Sequence, residues 1–265
     1  YSILIPTYKN PKYLKLCVDS ILENSYYKTH QICVHVNSYD QESVDYLDKL
    51  NKQKVTYTIT EKNIGIPKAV LKCVNQAIHN KIIAANDDFY FSKDWDYYLH
   101  QWEIELSNKF PDYTHLIGYK LCEPSFGSFL PECKAGNDIN EFNKNVFYKY
   151  IEKNSSHTTH EEWMSNASYP KDVYLKILET EFDTKICDID IVMNLLKYFK
   201  ENNQKFLMIR VQDVCVYHFG SIVTKREKQQ NLIEENKEVK KFEQKWEMTI
   251  HHAYNNVLRP ESIRS

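Results

Sequence analysis

Asn86-Asp87-Asp88 directly follows the apolar run Ile82-Ile83-Ala84-Ala85. A carboxylate that leaves an apolar strand stands at the ligand-facing edge of a sheet. There it can hold Mg2+ or Mn2+, and such an ion can bridge two phosphates. The same aspartates could equally cap the next turn, and the motif alone does not choose between these roles. Glycine usage narrows the chemistry. The five glycines, Gly65, Gly118, Gly127, Gly136 and Gly220, are nowhere closer than nine residues. A Walker A loop and a dinucleotide fingerprint both need clustered glycines, so both are excluded. A phosphate-bearing ligand must then be neutralised another way, and a carboxylate-held cation is the obvious one. His218 ends the apolar run Val214-Cys215-Val216-Tyr217 and precedes Phe219-Gly220-Ser221. It should emerge at the edge of a sheet, either as a metal ligand or as a core histidine. In His157-Thr158-Thr159-His160-Glu161-Glu162-Trp163 the histidines stand three apart beside acids, but no H-E-x-x-H is present. The segment reads as a polar loop with a core Trp163. The alternative places Trp163 and His160 in a ligand cleft, stacked on a sugar ring.

The elements that must position these residues alternate. Ser2-Ile3-Leu4-Ile5 reads as a buried strand ending at Pro6, and Asn10-Pro11 opens a helix with Leu14, Cys17, Val18, Ile21 and Leu22 on one face. Ile32, Val34 and Val36 predict a second strand, and Asp40 caps a helix bearing Val44, Leu47 and Leu50. Val55, Tyr57 and Ile59 predict a third strand. Pro67 opens a helix with Val70, Val74 and Ile78 inward, and Ile82 to Ala85 is a fourth strand. This β-α-β-α-β-α-β order means a mostly parallel sheet with helices on both faces. Ligands of such sheets bind at the carboxyl ends of the strands. Those ends carry Pro6-Thr7-Tyr8, Asn37 to Asp40, and Asn86 to Asp88.

The second half is less regular. Trp95 to Phe110 predicts a helix, His115 to Leu121 a strand, and residues 122–156 a long loop region. A strand is expected over Trp163 to Ala167, a helix from Pro170 to Leu178 and another from Asp188 through Phe199. Two short strands follow, Phe206 to Ile209 and Val214 to Tyr217. Leu232, Val239, Phe242 and Trp246 form the stripe of an amphipathic helix, which docks on the domain or pairs with a second copy. The expected division is 1–224, split at 96/97 into two halves, and 225–265 as a helical tail.

Composition sets the remaining bounds. The 265 residues carry a net charge of −2, which gives no electrostatic case for nucleic acid or an anionic membrane. No apolar run approaches the roughly 20 residues of a membrane span. Seven scattered cysteines without a CxxC pair read as reduced core thiols. With no signal peptide visible, the expectation is a cytoplasmic protein, and the start at Tyr1, directly into a strand, reads as a domain cut from a longer chain.

Taken together, Ile3-Leu4-Ile5-Pro6-Thr7-Tyr8-Lys9-Asn10, Lys62-Asn63-Ile64-Gly65 and Asn86-Asp87-Asp88 with Trp95 seven residues on resemble glycosyltransferase family 2. The likeness is close over residues 2–96 and looser over 160–224. It implies a GT-A fold, a Rossmann-like α/β architecture. It also implies inverting transfer of a sugar from a nucleotide-sugar, most readily a UDP-sugar, to a glycan or other hydroxyl acceptor. By the same resemblance Pro6, Thr7 and Tyr8 embrace base and ribose, Asn37 lies near the base, and Asn63, Gly65 and Lys68 line the nucleotide. Asn86-x-Asp88 matches the family's D-x-D with Asn first, which makes Asp88 the Mn2+ or Mg2+ ligand and leaves Asp87 beside the donor. Cys187-Asp188-Ile189-Asp190 looks like the family's E-D-x-D segment, with Cys187 replacing Glu. Asp188 is then the general base, with Asp190 the fallback. Val216-Tyr217-His218-Phe219-Gly220-Ser221 resembles the C-terminal H-x-x-[ST] segment, in which the histidine completes the metal site. Lys225 and Arg226 would add charge near the phosphates. The competing readings are a non-catalytic nucleotide-sugar-binding domain and, less favoured for want of a glycine-rich first loop, a sugar-phosphate nucleotidyltransferase.

Overall fold

A computed structural model describes residues 1–124, 132–162, 164–179, 181–183, 186–220 and 228–258, with only the course of the chain at 228–234. Trp163, Ser221, Lys225, Arg226 and the side chain of Leu232 lie outside the described residues.

The first half follows the expected alternation. β1 (Ser2–Thr7), α1 (Pro11–Asn24), β2 (Gln31–Asn37), α2 (Gln41–Asp48), β3 (Val55–Thr60), α3 (Ile66–Val74) and β4 (Lys81–Ala84) succeed one another. β5 (Phe89–Phe91), α4 (Trp95–Lys109), β6 (Tyr113–Cys122), α5 (Lys144–Asn154), β7 (Thr159–Glu161) and β8 (Ala167–Pro170) follow. The chain continues through α6 (Lys171–Ile177), α7 (Ile186–Glu201), β9 (Lys205–His218), α8 (Lys228–Trp246) and α9 (Ile250–His252), with a π-helical turn at Ala253–Val257. Among the described residues nine strands form one sheet, ordered β3-β2-β1-β4-β8-β6-β9-β5, with β7 beside β9. Alternate residues of each strand face opposite layers. Ile3 and Ile5 pack with α1 and α4 residues such as Leu14, Val18 and Leu99. Leu4 and Cys33 pack with Cys73, Tyr174 and Leu195 from α3, α6 and α7. All seven cysteines are free and buried, as the spacing suggested.

The directions of the strands matter more than their order. β1, β2 and β4 are mutually parallel. β8 runs antiparallel to β4 and to β6, so β6 runs with β4, and β9 is parallel to β6. The carboxyl ends of β1, β2, β4, β6 and β9 therefore share one edge. The antiparallel strands β5 and β8 begin at that edge, with Phe89 opposite His218. The first three strand ends are those expected; the last two are brought there by the second half.

Several expectations change. Helix α3 stops at Val74, so Ile78 is 70% exposed and not inward. Residues 122–156 are not simply loop, because Asn143 caps α5 by accepting from the amides of Asn145 and Val146. The two short strands after residue 205 are one strand, β9, whose register to β6 jumps by three residues where Gln212 to Val214 bulge. The strand expected up to Ala167 instead begins there. The Val239, Phe242 and Trp246 stripe of α8 packs within the chain, against Phe182, Ile186 and Ile189 of the α7 region, and Phe242 is fully buried. No helix among the described residues is long and apolar enough to cross a membrane.

Candidate active site

Asn86, Asp87 and Asp88 bridge β4 and β5 at the shared edge, and each side chain takes a different course. Asp87 turns into the protein. Its carboxylate accepts from the Thr7 hydroxyl at 2.6 Å and the Asn10 amide at 3.1 Å. Asn10 stands at the N-cap of α1 but makes no capping bond, since its side chain is committed to Asp87. Burial, reinforced by the charge of Asp88, pushes the Asp87 carboxyl up to about 7, against the pull of Thr7, Asn10 and the Tyr8 amide. Asp87 is thus the bolt between the first strand turn and the D-x-D-like turn.

Asp88 turns toward β9. Its Oδ1 lies 3.4 Å from His218 Nε2, and His218 Nδ1 lies 2.8 Å from a carboxylate oxygen of Glu123, the residue directly after β6. All three are largely buried. Burial by itself would discharge the imidazole, but Asp88 and Glu123 outweigh it and hold the His218 pKa up at about 9. The residues fit a cation. Cis ligands of one octahedral ion with bonds of about 2.1 Å stand about 3 Å apart, close to the Asp88–His218 separation. A ligating histidine ordinarily gives its other ring nitrogen to a carboxylate, and Glu123 stands within reach of His218 Nδ1. Asp88 and His218 Nε2 could therefore hold a divalent ion, with Glu123 fixing the tautomer and orientation of the ring.

Asp188 lies in the first turn of α7 and lines a cleft with Asn86, Pro6, Pro67, Ser165 and Asn166. The residue is exposed there, although protein crowds around its carboxyl. The crowding raises its pKa, and the Ser165 hydroxyl and the charge of His218 act in the opposite direction. The charge of Asp188 also bears on the phenol of Tyr254, which burial first and Asp188 second push upward, so Tyr254 lies near the same carboxylate.

The remaining candidates separate clearly. Asn37 is committed to the turn beside it. Its amide donates to Asn63 Oδ1 at 2.9 Å, and its oxygen accepts from the Ile64 amide at 2.8 Å. Asn63 Oδ1 also accepts from the Gly65 amide at 2.9 Å. Gly65 has φ +85, a backbone that favours glycine, and the Asp183 carboxyl lies against it. Lys68 is exposed on α3 above this turn. Asp190 points away from the cleft into the C-terminal helix, where Lys245 and Trp246 hold it. His160 pairs opposite Arg210 in the β7–β9 ladder. Eight residues of β9, three of them in the bulge, separate Arg210 from His218, roughly 17 Å at about 3.3 Å per residue, so the structure does not bring His160 to the cleft. Trp95 is a core residue whose indole donates to Ser25 at 3.1 Å.

Glu123, Ser165 and Tyr254 were not singled out from the sequence, and Asn10 only as a helix start and part of the first motif. Glu123 had the same signal as Asp88, an acid directly after an apolar strand, but was masked by the reading of 122–156 as loop.

Residues 2–102 match the family model described as Glycosyl transferase family 2. No curated protein sequence matches the chain. Among solved structures, the chain is similar to S. aureus TarS at 14% identity and a TM-score of 0.57, covering 83% of this chain and 36% of that one. S. aureus TarS 1–349 in complex with UDP-GlcNAc is similar at 16% identity and a TM-score of 0.54, with 82% of this chain and 57% of that one covered. The same fragment in complex with UDP aligns at 16% identity with a TM-score of 0.53, over 82% and 59%. The chain thus spans about a third to three fifths of these proteins. Residues 2–102 are thus similar to glycosyltransferase family 2, and the chain shares the GT-A fold of the similar solved structures.

Proposed function

We propose that the chain transfers a sugar from a nucleoside-diphosphate sugar to a hydroxyl acceptor, with inversion at the anomeric carbon and with a divalent cation bound. The observation that supports this most is the meeting of Asp88, His218 and Asp188 at one sheet edge, beside the Asn63–Gly65 turn. The family match covers the nucleotide half, and the similar S. aureus TarS structures hold UDP or UDP-GlcNAc, which favours a UDP-sugar.

In this mechanism the acceptor oxygen attacks the anomeric carbon while the bond from that carbon to the diphosphate oxygen breaks. Asp188 takes the acceptor proton, and its raised pKa makes it a better base than an ordinary exposed carboxylate. Pro6, Thr7, Tyr8 and the Asn63–Gly65 turn form the nucleotide side, with Asn37 stiffening the turn from behind. Asn86 lines the cleft where the sugar would lie. Mn2+ or Mg2+ held by Asp88 and His218 would neutralise the charge that develops on the leaving diphosphate.

A panel of nucleotide-sugars in thermal unfolding, with and without Mn2+, tests the donor class. A true donor at about 100 times its Kd should stabilise the fold by about 2.7 kcal/mol, and only when the cation is present. A panel in which no nucleotide-sugar shifts the transition would remove this reading.

A further inference from the structure

The C-terminal helix grips the turn that bears Asp188. Lys245 Nζ lies 2.9 and 3.0 Å from the two carboxylate oxygens of Asp190, 2.6 Å from Glu179 and 2.8 Å from Glu181. Trp246 Nε1 donates to Asp190 Oδ1 at 2.8 Å, and Asn194, one turn on, donates to Oδ2 at 3.1 Å. Asp190 is 2% exposed. The three acids stand close enough together to suit a metal ion, but the ammonium of Lys245 already sits among them. A buried carboxylate is costly unless its partners are in place, so removing one of them disturbs its surroundings.

Helical geometry links this grip to the cleft. Residues two apart on a helix point about 200° apart. With Asp190 fixed in the tail, Asp188 is turned into the cleft. A second grip lies upstream: the Asp183 amide donates to Glu238 of α8 at 2.5 Å, and the Asp183 carboxyl abuts Gly65 of the nucleotide turn. The tail therefore holds the chain on both sides of Asp188.

We propose that Lys245 and Trp246 are positioning residues for the proton acceptor: by holding Asp190 they set the rotation of the first turn of α7 and so the place of Asp188 in the cleft. This rests on the reading of Asp188 as base. Neither residue touches the reacting atoms.

The test compares Lys245→Met, Lys245→Arg, Trp246→Phe and Asp188→Asn in the full chain, using UDP-sugar turnover normalised to folded protein. Methionine keeps a stem beside the Phe182 and Trp246 rings, near which the Lys245 ammonium lies. Small displacements of a reacting group cost much rate, so Lys245→Met should lower kcat about tenfold. Donor KM should stay within about twofold, since no donor contact is removed. Lys245→Arg should recover much of the loss, and Trp246→Phe, which keeps the ring and removes the N–H, should lie between. An unchanged kcat in both Lys245→Met and Trp246→Phe, beside an inactive Asp188→Asn, would overturn the inference and leave the base assignment standing. So would equal losses in Lys245→Met and Lys245→Arg. An active Asp188→Asn would remove the base assignment and this inference with it.

Discussion

Asp188→Asn should lower transfer by about 10²- to 10⁴-fold, the usual contribution of a positioned general base. Donor affinity should be unchanged, because the substitution is nearly isosteric and leaves the residues read as donor contacts in place. Asp190→Asn is the control. Its carboxylate is held by Lys245 and Trp246, so its loss should be smaller and act through the position of Asp188. The pH profile carries the same signature. Crowding raises the Asp188 pKa above the ordinary aspartate value. The base is therefore deprotonated only above that raised value, and kcat should fall on acidification earlier than for an exposed aspartate. A fully active Asp188→Asn beside an inactive Asp190→Asn would place the base two residues further along α7.

The second large effect is expected at the cation site. His218→Ala or Asp88→Asn should weaken Mn2+ binding and donor turnover together while the chain stays folded. Glu123→Gln, which alters only the orienting partner, should weaken metal affinity by about 10- to 100-fold. Proton competition gives a second readout. A ligating imidazole must be neutral, yet Asp88 and Glu123, overcoming burial, keep His218 protonated up to about 9. Apparent Mn2+ affinity should thus climb about tenfold per pH unit below that value and then level off. For stability the sign is fixed by the same shift. The pKa of His218 is raised on folding, so its contribution is fully present below 6.5 and is lost as pH rises through about 9. The metal-free chain should lose melting temperature across that window, and His218→Ala should lose less. A Mn2+ midpoint indifferent to both pH and His218→Ala would mean that the histidine serves the core alone.

How much of this was legible in the sequence depends on the range of the interaction. β1 to β4 and their helices were legible because each buries a face whose period is local. Leu14, Cys17, Val18 and Ile21 are buried on one side of α1, and the strands between are apolar runs. Phe89–Phe91 was not read as a strand, since three aromatics in a row have no period. Helix α5 was hidden because it fully buries only Phe147. β9 looked like two strands because polar Gln212 and Asp213 interrupt its apolar pattern at the bulge. The site divides in the same way. Asp88, Asp188 and His218 stand out by residue type at element ends, and the family pattern named them. Their partners do not stand out: Glu123 meets His218 through the β6–β9 register, and Asp190 meets Lys245 across 55 residues of chain. The second aspartate of Asp188-Ile189-Asp190 was offered as a fallback base because nothing local says which of two nearby carboxylates faces a cleft and which faces a helix still to come.

Cleavage of the donor itself bears most directly on the claim that this chain is a sugar transferase. UDP release from a UDP-sugar panel, including UDP-GlcNAc, should be followed with Mn2+ and no acceptor, alongside the Asp88→Asn chain. Water can stand in for the acceptor hydroxyl, so slow metal-dependent UDP release is expected from at least one donor, with its loss in excess chelator and in Asp88→Asn. A folded chain that binds a UDP-sugar but releases no UDP with Mn2+ or Mg2+ would contradict the account and leave a nucleotide-sugar-binding domain in its place.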